Sequence, residues 1–385
     1  MEDFDCVVVH YDEIGLKGKN KGYFEKLLMG NIVVKLKDVK HKIVRESGQL
    51  TIFFREKADY KVVCDVLSRI PGIAYFSFAR KCSLDIDELK EESVKILSGL
   101  EFSSFKIDAR RHNKDYKLKS SEINAVLGEA VINALGKKVK LDSPDVALKV
   151  EISHKGAYLS CASIAGVGGL PVNSRQRVVA LLSGGFDSPV AAFMMMKRGC
   201  EVILVHFRNS NQMAPFVEDK ISDLAKQLSK YQMRTALYIV PFEDLQKEII
   251  MKAPAEVRML VYRRFMIRIA SGIAESCKAR FLVMGDSLSQ VSSQTIENLE
   301  ATYKVSSKHI FSPLIGMNKR EIMSVAERIG THDISSRPYG DCCSYFLPKH
   351  PVLRADSKIL DRIESEFDIE KLVMNAIKDT KKEEF

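Results

Sequence analysis

The sequence predicts an α/β protein whose C-terminal half is a doubly wound parallel sheet and whose N-terminal part consists of smaller α/β units. After about residue 170, short apolar strand-like runs alternate with helix-like segments. Before that point, strands and helices follow one another in shorter blocks. Between the two parts stands Gly166-Val167-Gly168-Gly169-Leu170-Pro171, a glycine-rich connection ending in proline, which is typical of a domain boundary.

The N-terminal elements follow from apolar periodicity and turn residues. Up to residue 55 the predicted order is strand, basic glycine loop, helix and two strands, at Cys6–His10, Lys21–Lys37, Lys42–Arg45 and Gln49–Phe54. From about Asp59, helices are predicted near 60–69, 86–98 and 121–135. Strands are predicted in the same region at Ala74–Phe78, Ser104–Ala109, Ala147–Ile152 and Ala157–Ile164.

The C-terminal half alternates strand and helix. The predicted strands are Val178–Leu182, Val202–Phe207, Thr235–Val240 and Phe281–Met284, and the helices span 215–230, 254–276 and 318–329. This alternation places a site at the carboxyl ends of the strands. The last forty or so residues are predicted to form a helical appendage, whose charged end, Lys378–Phe385, is expected to be frayed.

The most informative motif is Ser183-Gly184-Gly185-Phe186-Asp187-Ser188, which lies between the first of these strands and a helix predicted to open on Pro189. Such a turn aims backbone N–H groups and the positive end of a helix at one point, as phosphate sites do. The glycines let the backbone approach an anion, and the serines offer hydroxyls. Asp187 is expected to act through a magnesium ion carried by a nucleotide. An ordinary tight connection is the alternative.

Composition limits the class of protein. At 385 residues with 46% hydrophobic content, two or three domains with real cores are expected. No window is long and apolar enough to span a membrane, and the N-terminus lacks a secretory signal pattern. Eight cysteines without an export signal indicate free thiols in a reducing cytoplasm, and none has Cys-x-x-Cys spacing, so no protein-bound metal is expected. The net charge of +9 favours a polyanionic partner.

Basic residues are concentrated in two places. Between Phe105 and Leu118 lie Lys106, Arg110, Arg111, Lys114 and Lys117. A second group, Lys17, Lys19 and Lys21, surrounds two glycines ahead of the first helix. Either group could be a solvated surface. Two such groups upstream of a nucleotide-activating domain favour RNA binding.

A second chemical feature is the pair Cys342 and Cys343, in a segment whose prolines and glycine mark a loop. Paired thiols can be nucleophiles, redox partners, metal ligands or small buried residues. Adjacent cysteines are poor metal ligands, and a disulfide between neighbours is strained. Cys342 is the expected nucleophile, and burial stays open for Cys343.

The glycine loop resembles the pyrophosphate loop of ATP pyrophosphatases, and it lacks the Gly-Lys-Ser/Thr ending of a Walker A motif. Over essentially its full length the chain resembles the tRNA 4-thiouridine synthetases, or tRNA sulfurtransferases. The resemblance rests on Tyr11–Asn20, Gly168–Pro171, Ser183–Pro189, Asp341–Cys343 and Pro348–Pro351. It implies a ferredoxin-like α+β domain at 1–57, a tRNA-binding THUMP domain at 58–166, and a PP-loop ATP pyrophosphatase domain, a doubly wound parallel sheet, at 167–385.

The resemblance also assigns roles to individual residues. It implies that ATP is bound by Leu181, Leu182, Ser183, Gly184, Gly185, Asp187, Ser188, His206, Phe207, Arg263, Gly285 and Gln294. Cys342 matches the cysteine that relays sulfur, with an ambiguity of one residue because Cys343 is adjacent. Asp187, Cys342 and Cys343 are therefore the expected catalytic residues, and the basic group from Lys106 to Lys117 is the expected tRNA contact.

The implied reaction is ATP-dependent transfer of sulfur to the uridine at position eight of tRNA, through adenylation of the uracil O4 and a cysteine persulfide, with ATP and Mg²⁺. Longer family members carry a C-terminal rhodanese domain, which this sequence is expected to lack. The persulfide is then expected from a cysteine desulfurase or a separate rhodanese protein, or the sulfur from sulfide. A sulfur-carrier protein is a further candidate partner.

A cytoplasmic homodimer is expected. A link to sulfur transfer in thiamin thiazole synthesis stays open. So do two other functions: another PP-loop enzyme, which makes 2-thiouridine or 2-thiocytidine or amidates a small molecule, and a non-catalytic protein that binds ATP and RNA.

Overall fold

The structure is a computed structural model that describes residues 4–46, 48–56, 58–208, 215–337 and 351–385. The chain forms two compact units, Met1–Pro171 and Val172–Phe385. Across the ranges described, no helix combines the length and the apolar character needed to cross a membrane.

The first unit is built on a mixed sheet. Its strands are β1 (Cys6–His10), β2 (His41–Glu46), β3 (Gln49–Phe54), β4 (Tyr75–Cys82), β5 (Ser104–Arg111), β6 (Lys138–Val139), β7 (Val146–Ser153), β8 (Gly156–Ser160) and β9 (Ile164–Ala165). Its helices are α1 (Lys21–Lys35), α2 (Tyr60–Leu67), α3 (Ile86–Ser98) and α4 (Ser120–Leu135). The strand order is β2-β3-β1-β4-β8-β7-β5-β6, with β9 beside β4.

Strand β4 belongs to both halves of this sheet. Its residues 75–79 pair with β1, and its residues 80–82 pair with β8. The predicted strand Ala74–Phe78 is therefore too short, because the chain continues extended into the second half. On one side of this junction β1, β3 and β4 form a core with α1 and α2, and on the other β5, β7 and β8 form a core with α3 and α4.

The second unit alternates strands and helices. Its strands are β10 (Asn173–Leu181), β11 (Cys200–Arg208), β12 (Ala236–Pro241), β13 (Phe281–Val283), β14 (His309–Phe311) and β15 (Lys381–Glu384). Its helices are α5 (Asp187–Lys197), α6 (Pro215–Ser229), α7 (Glu243–Lys252), α8 (Arg258–Ser276), α9 (Ile296–Tyr303), α10 (Lys319–Arg328), α11 (His332–Ser336), α12 (Ser357–Glu364) and α13 (Ile369–Lys378).

The strand order in the second unit is β14-β13-β10-β11-β12-β15, and all neighbours are parallel except β12 and β15. Strand β10 has β11 on one side and β13, which comes much later in the chain, on the other. The chain therefore changes direction across the sheet at β10. In sheets of this kind, ligands bind at the carboxyl ends of the strands next to that switch point.

The structure corrects two predictions for this unit. The segment Lys378–Phe385 is not frayed, because β15 pairs antiparallel with β12 and the Phe385 N–H donates to the Thr235 carbonyl at 2.9 Å. A strand of lysines and glutamates has no apolar alternation, but it suits the edge of a sheet. In addition, α5 begins at Asp187, so Pro189 is its third residue, where the missing N–H costs no helical hydrogen bond.

Candidate functional site

The Ser183–Ser188 loop lies at the switch point, directly after β10. The Leu182 N–H donates to the Val205 carbonyl at 2.8 Å, so the chain stays paired with β11 up to the loop. The Ser188 hydroxyl accepts from the Ser183 N–H at 2.8 Å and lies 2.9 Å from the Ser183 hydroxyl. These bonds close the loop across the start of α5, where the helix dipole favours an anion.

Gly285 brings β13 against this loop. A Cβ atom built on Gly285 would lie 2.9 Å from both the N and the Cα of Ser188 and 3.1 Å from the carbonyl carbon of Asp187. Because these are main-chain atoms, a side chain at this position would displace the first turn of α5. The sequence therefore needs glycine here for close approach of two backbones.

Asp187 occupies the first position of α5. Burial raises the pKa of its carboxyl group, and Asp286 also raises it. A hydrogen bond from the Gln290 amide nitrogen, 3.0 Å from Oδ2, and the charge of Lys319 partly offset that rise. A cation bound beside Asp187 would stabilise the ionised carboxylate and offset this rise in its pKa.

Asp286, the residue after Gly285, accepts four hydrogen bonds although its side chain is nearly fully buried. Its Oδ1 accepts from Arg263 Nη1 and from Gln294 Nε2, both at 3.0 Å, and its Oδ2 accepts from Arg263 Nη2 at 2.7 Å and from the Tyr303 hydroxyl at 2.6 Å. Burial alone would raise the pKa of Asp286, but the charge of Arg263 and these hydrogen bonds lower it overall. The carboxylate thus joins three elements around one point.

The side chains of His206 and Phe207 are both buried. The His206 side chain is 4% exposed, with Nδ1 2.9 Å from the Leu182 carbonyl oxygen. Phe207 is also buried, edge to face with Phe242. Both residues lie at the carboxyl end of β11, next to the loop. A nucleotide there would meet the main chain of this pair rather than two free side chains.

The structure therefore brings the predicted nucleotide-binding residues of the second unit to one edge of the sheet. Leu181, Leu182 and the loop come from the end of β10, His206 and Phe207 from β11, Gly285 from β13, Arg263 from α8, and Gln294 from a 3-10 turn before α9. The predicted sulfur-relay residues Cys342 and Cys343 lie outside the described residues.

The predicted RNA contacts lie in the first unit. On β5, Phe105, Ile107 and Ala109 point into the core, so Lys106 and Arg110 alternate onto the opposite face. Lys114 and Lys117 are exposed in the loop that follows. Arg111 differs, because its Nη1 donates to the carbonyls of Tyr116 at 3.0 Å and Lys114 at 3.5 Å and so braces that loop.

Three polar residues of this site were not predicted from the sequence: Gln290, which donates a hydrogen bond to Asp187, and Asp286 and Tyr303, which bond each other. A signal existed for Asp286, since a carboxylate directly after Gly285 lies at the carboxyl end of a parallel strand, where ligand sites form. No pattern pointed to Tyr303, which reaches Asp286 from the end of α9. Tyr303 and Asp286 are seventeen residues apart along the chain, so no local pattern connects them.

A doubly wound parallel sheet with this loop at its switch point defines the class: a PP-loop ATP pyrophosphatase fold, preceded by ferredoxin-like and THUMP segments. The family profile described as "Thiamine biosynthesis protein (ThiI)" matches residues 173–369. The profiles "ThiI ferredoxin-like domain" and "THUMP domain" match residues 6–77 and 84–162. The chain belongs to the ThiI family.

Two curated relatives extend this result. A "Probable tRNA sulfurtransferase" of Caldanaerobacter subterraneus subsp. tengcongensis is 39% identical over 373 residues, which cover 96% of this chain and 97% of the relative. The protein of the same name from Brevibacillus brevis is 36% identical over 386 residues, covering 99% and 96%.

Two solved structures are similar. A 4-thiouridine synthetase in complex with RNA and bound ATP superposes with a TM-score of 0.88 at 34% identity and full coverage of both chains. PH1313 from Pyrococcus horikoshii Ot3 gives a TM-score of 0.66 at 26% identity, covering 85% of this chain and 99% of that protein. The family resemblance and the fold class expected from the sequence are therefore confirmed.

Proposed function

We propose that this protein is an ATP-dependent tRNA sulfurtransferase that converts a uridine of tRNA, at position eight, to 4-thiouridine. The observation that carries the proposal is the closed serine–glycine loop at the switch point, with Gly285 pressed against its main chain and the Arg263–Asp286 pair beside it. The proposal is also supported by the name of the relatives, "Probable tRNA sulfurtransferase", and by the RNA and ATP bound to the similar 4-thiouridine synthetase.

The phosphate loop suits the first half-reaction. The uracil O4 attacks the α-phosphorus of ATP, the bond to the bridging oxygen breaks, and pyrophosphate leaves. Main-chain N–H groups of the Ser183–Ser188 loop and the start of α5 would hold the phosphates as charge moves to the leaving group. Asp187 is the carboxylate at this end of the site, and with its raised pKa it fits a magnesium ion, which would neutralise phosphate charge.

The second half-reaction needs a thiol. The terminal sulfur of a Cys342 persulfide attacks C4 of the activated uracil, the C4–O4 bond breaks, and AMP leaves. A second thiolate then attacks the Cys342 sulfur, the S–S bond breaks, and 4-thiouridine departs from a newly formed disulfide. A cellular thiol reductant then reduces that disulfide and restores both thiols. Cys343 is a candidate for the second thiol.

Five of the six cysteines that the structure describes support this assignment indirectly. Burial raises the pKa of Cys6, Cys64, Cys82, Cys161 and Cys200, to about 11 in Cys161. A thiol with a raised pKa supplies little thiolate, which is the nucleophilic form. Within the described ranges these five are therefore poor candidates for sulfur transfer.

The exposed residues Arg110, Lys114 and Lys117, together with the half-buried Lys106, would hold the tRNA by its phosphates and shape rather than by its sequence. The target uridine has to leave its stack to meet both ATP and the thiol, at a cost of a few kcal/mol. We also propose that a separate protein donates the persulfide and that the protein is a homodimer in the cytoplasm. The proposed domain boundaries are at 57/58 and 166/167. A thiazole role stays an open prediction.

The test is pyrophosphate release from ATP by the purified protein. We expect release only with tRNA that carries an unmodified uridine at position eight, and none when a cytidine replaces that uridine in the same tRNA. Equal release with both tRNAs, or without tRNA, would contradict adenylation of that base.

A further inference from the structure

Helix α11 lies directly against the phosphate loop. The Ser335 hydroxyl donates to the Gly185 carbonyl at 3.1 Å, and the His332 ring lies 5.4 Å from the Phe186 ring, centroid to centroid. Helix α11 therefore contacts two residues of the loop, Gly185 and Phe186. Helix α11 ends at Ser336, and the chain leads from there towards Cys342.

A buried lysine holds the end of α11. Lys220, on α6, is 2% exposed, and its Nζ donates to the carbonyls of Ser335 at 2.9 Å and Arg337 at 2.8 Å. One turn further along α6, Asp223 accepts from Arg337 Nη1 at 2.5 Å. Burying an ammonium group is costly unless hydrogen bonds fix it, and carbonyls at a helix C-terminus are favourable partners for a cation. Lys220 and Asp223 therefore hold Arg337 in place, and we call these contacts the Arg337 anchor.

The length of chain makes this anchor important. Cys342 is the fifth residue after Arg337, and five residues of chain span at most about 17 Å. On the far side, Asn298 fixes Val352 and Ala355 through hydrogen bonds of 2.9 and 3.0 Å. Val352 is the ninth residue after Cys343, which allows a span of up to about 31 Å. The Arg337 anchor is therefore the tighter limit on where the Cys342 thiol can reach.

We propose that Lys220 is a positioning residue for sulfur transfer: it fixes Ser335 and Arg337, from which the sequence continues to Cys342, and Ser335 is the link to Gly185 of the phosphate loop. The inference rests on the proposed function, because it assumes that the thiol must meet a uracil activated at that loop. Lys220 itself touches no reacting group. Its effect is to keep the two half-reactions in reach of each other.

The test separates the two half-reactions in Lys220→Met, which keeps the side chain's length and removes its charge. We expect tRNA-dependent pyrophosphate release within about threefold of wild type, and single-turnover thiolation from a persulfide donor slowed roughly 10- to 100-fold, since small misplacements of reacting groups cost that much. Lys230→Met, at an exposed lysine just beyond α6, is the matched control and is expected to leave both rates unchanged.

Ser335→Ala is a second, milder variant that keeps the test valid if Lys220→Met does not fold, because it removes only the hydroxyl that donates to Gly185. It should slow thiolation in the same selective way, by a smaller factor. The proposal is overturned if pyrophosphate release and thiolation fall in parallel in both variants, or if both variants thiolate at the wild-type rate. The proposed function has its own control: if Cys342→Ser thiolates normally, the sulfur relay fails, whereas an inactive Cys342→Ser beside a normal Lys220→Met rejects only the role of Lys220.

Discussion

Arg263 and Asp286 form a two-point ion pair at the carboxyl end of β13, with Nη1 3.0 Å from Oδ1 and Nη2 2.7 Å from Oδ2. The same carboxylate accepts from Gln294 and Tyr303. Two proposed nucleotide-binding residues, from α8 and from the turn before α9, are thereby oriented by a third side chain.

Asp286→Asn should weaken ATP binding and lower stability. The amide keeps the shape but turns an N–H group towards the guanidinium of Arg263, and breaking a buried pair costs about 3–5 kcal/mol. We expect the KM for ATP to rise about tenfold or more, with tRNA binding unchanged. Titration of pyrophosphate release with ATP and a urea unfolding curve measure both effects. Tyr303→Phe removes one of the four hydrogen bonds and should have a smaller effect; a larger one would contradict this ranking.

Asp187→Asn should separate stability from activity. Because the pKa of Asp187 is raised in the folded protein, its charge opposes folding at pH values above the unfolded pKa, and that penalty fades as the pH falls. The asparagine variant should therefore melt at a higher temperature at neutral pH while pyrophosphate release is abolished. Asp286, whose pKa is lowered, should show the opposite sign, with stabilisation that is lost as the pH falls through its folded value. A lower melting temperature for Asp187→Asn would contradict the assignment.

Gly285→Ala should disable the phosphate loop, since the new methyl group would lie 2.9 Å from the main chain of Ser188. We expect a loss of ATP binding of at least about tenfold, measured by calorimetry. Gly316→Ala is the matched control, because a Cβ atom there meets nothing within 4 Å. Equal ATP affinity in the two variants would show that the close contact does not shape the site.

Replacing Arg110 and Lys114 by glutamine should weaken tRNA binding and flatten its salt dependence. Both side chains are exposed, and each phosphate contact contributes nearly one unit to the log–log slope. We expect the slope to fall by about two units. Adding Arg111→Gln should change it little further, because that guanidinium braces its own loop. An unchanged slope in the double variant would identify a solvated face.

The sequence was informative where local chemistry decides structure. Short apolar runs predicted most strands of both units, and the serine–glycine loop between strand and helix predicted the candidate site. The short strands β6 and β14 and the charged β15 were not predicted, and β8 and β9 were predicted as one strand. What could not be predicted depends on contacts between distant segments. Asp286 receives Arg263 and Tyr303 from other elements, and the charged β15 becomes a strand only because β12 offers it a free edge. The burial of His206 likewise depends on how β11 packs.

The two adjacent thiols should be distinguishable by half-reaction. Cys342→Ser should keep tRNA binding and tRNA-dependent pyrophosphate release, yet transfer no sulfur from a persulfide donor. Cys343→Ser should be milder if that residue packs, and comparably severe if it resolves the persulfide. Reversed phenotypes would show that the family register is shifted by one residue. Thiolation by the double variant would favour direct attack by sulfide or by the donor's own persulfide.

We propose that this protein makes 4-thiouridine in tRNA. The decisive measurement is mass spectrometry of nucleosides from bulk tRNA, prepared from cells with and without the gene. We expect 4-thiouridine to disappear without the gene and to return with the wild-type gene but not with the Asp187→Asn variant. If 4-thiouridine persists, or if 2-thiouridine or 2-thiocytidine disappears instead, the proposed function is wrong.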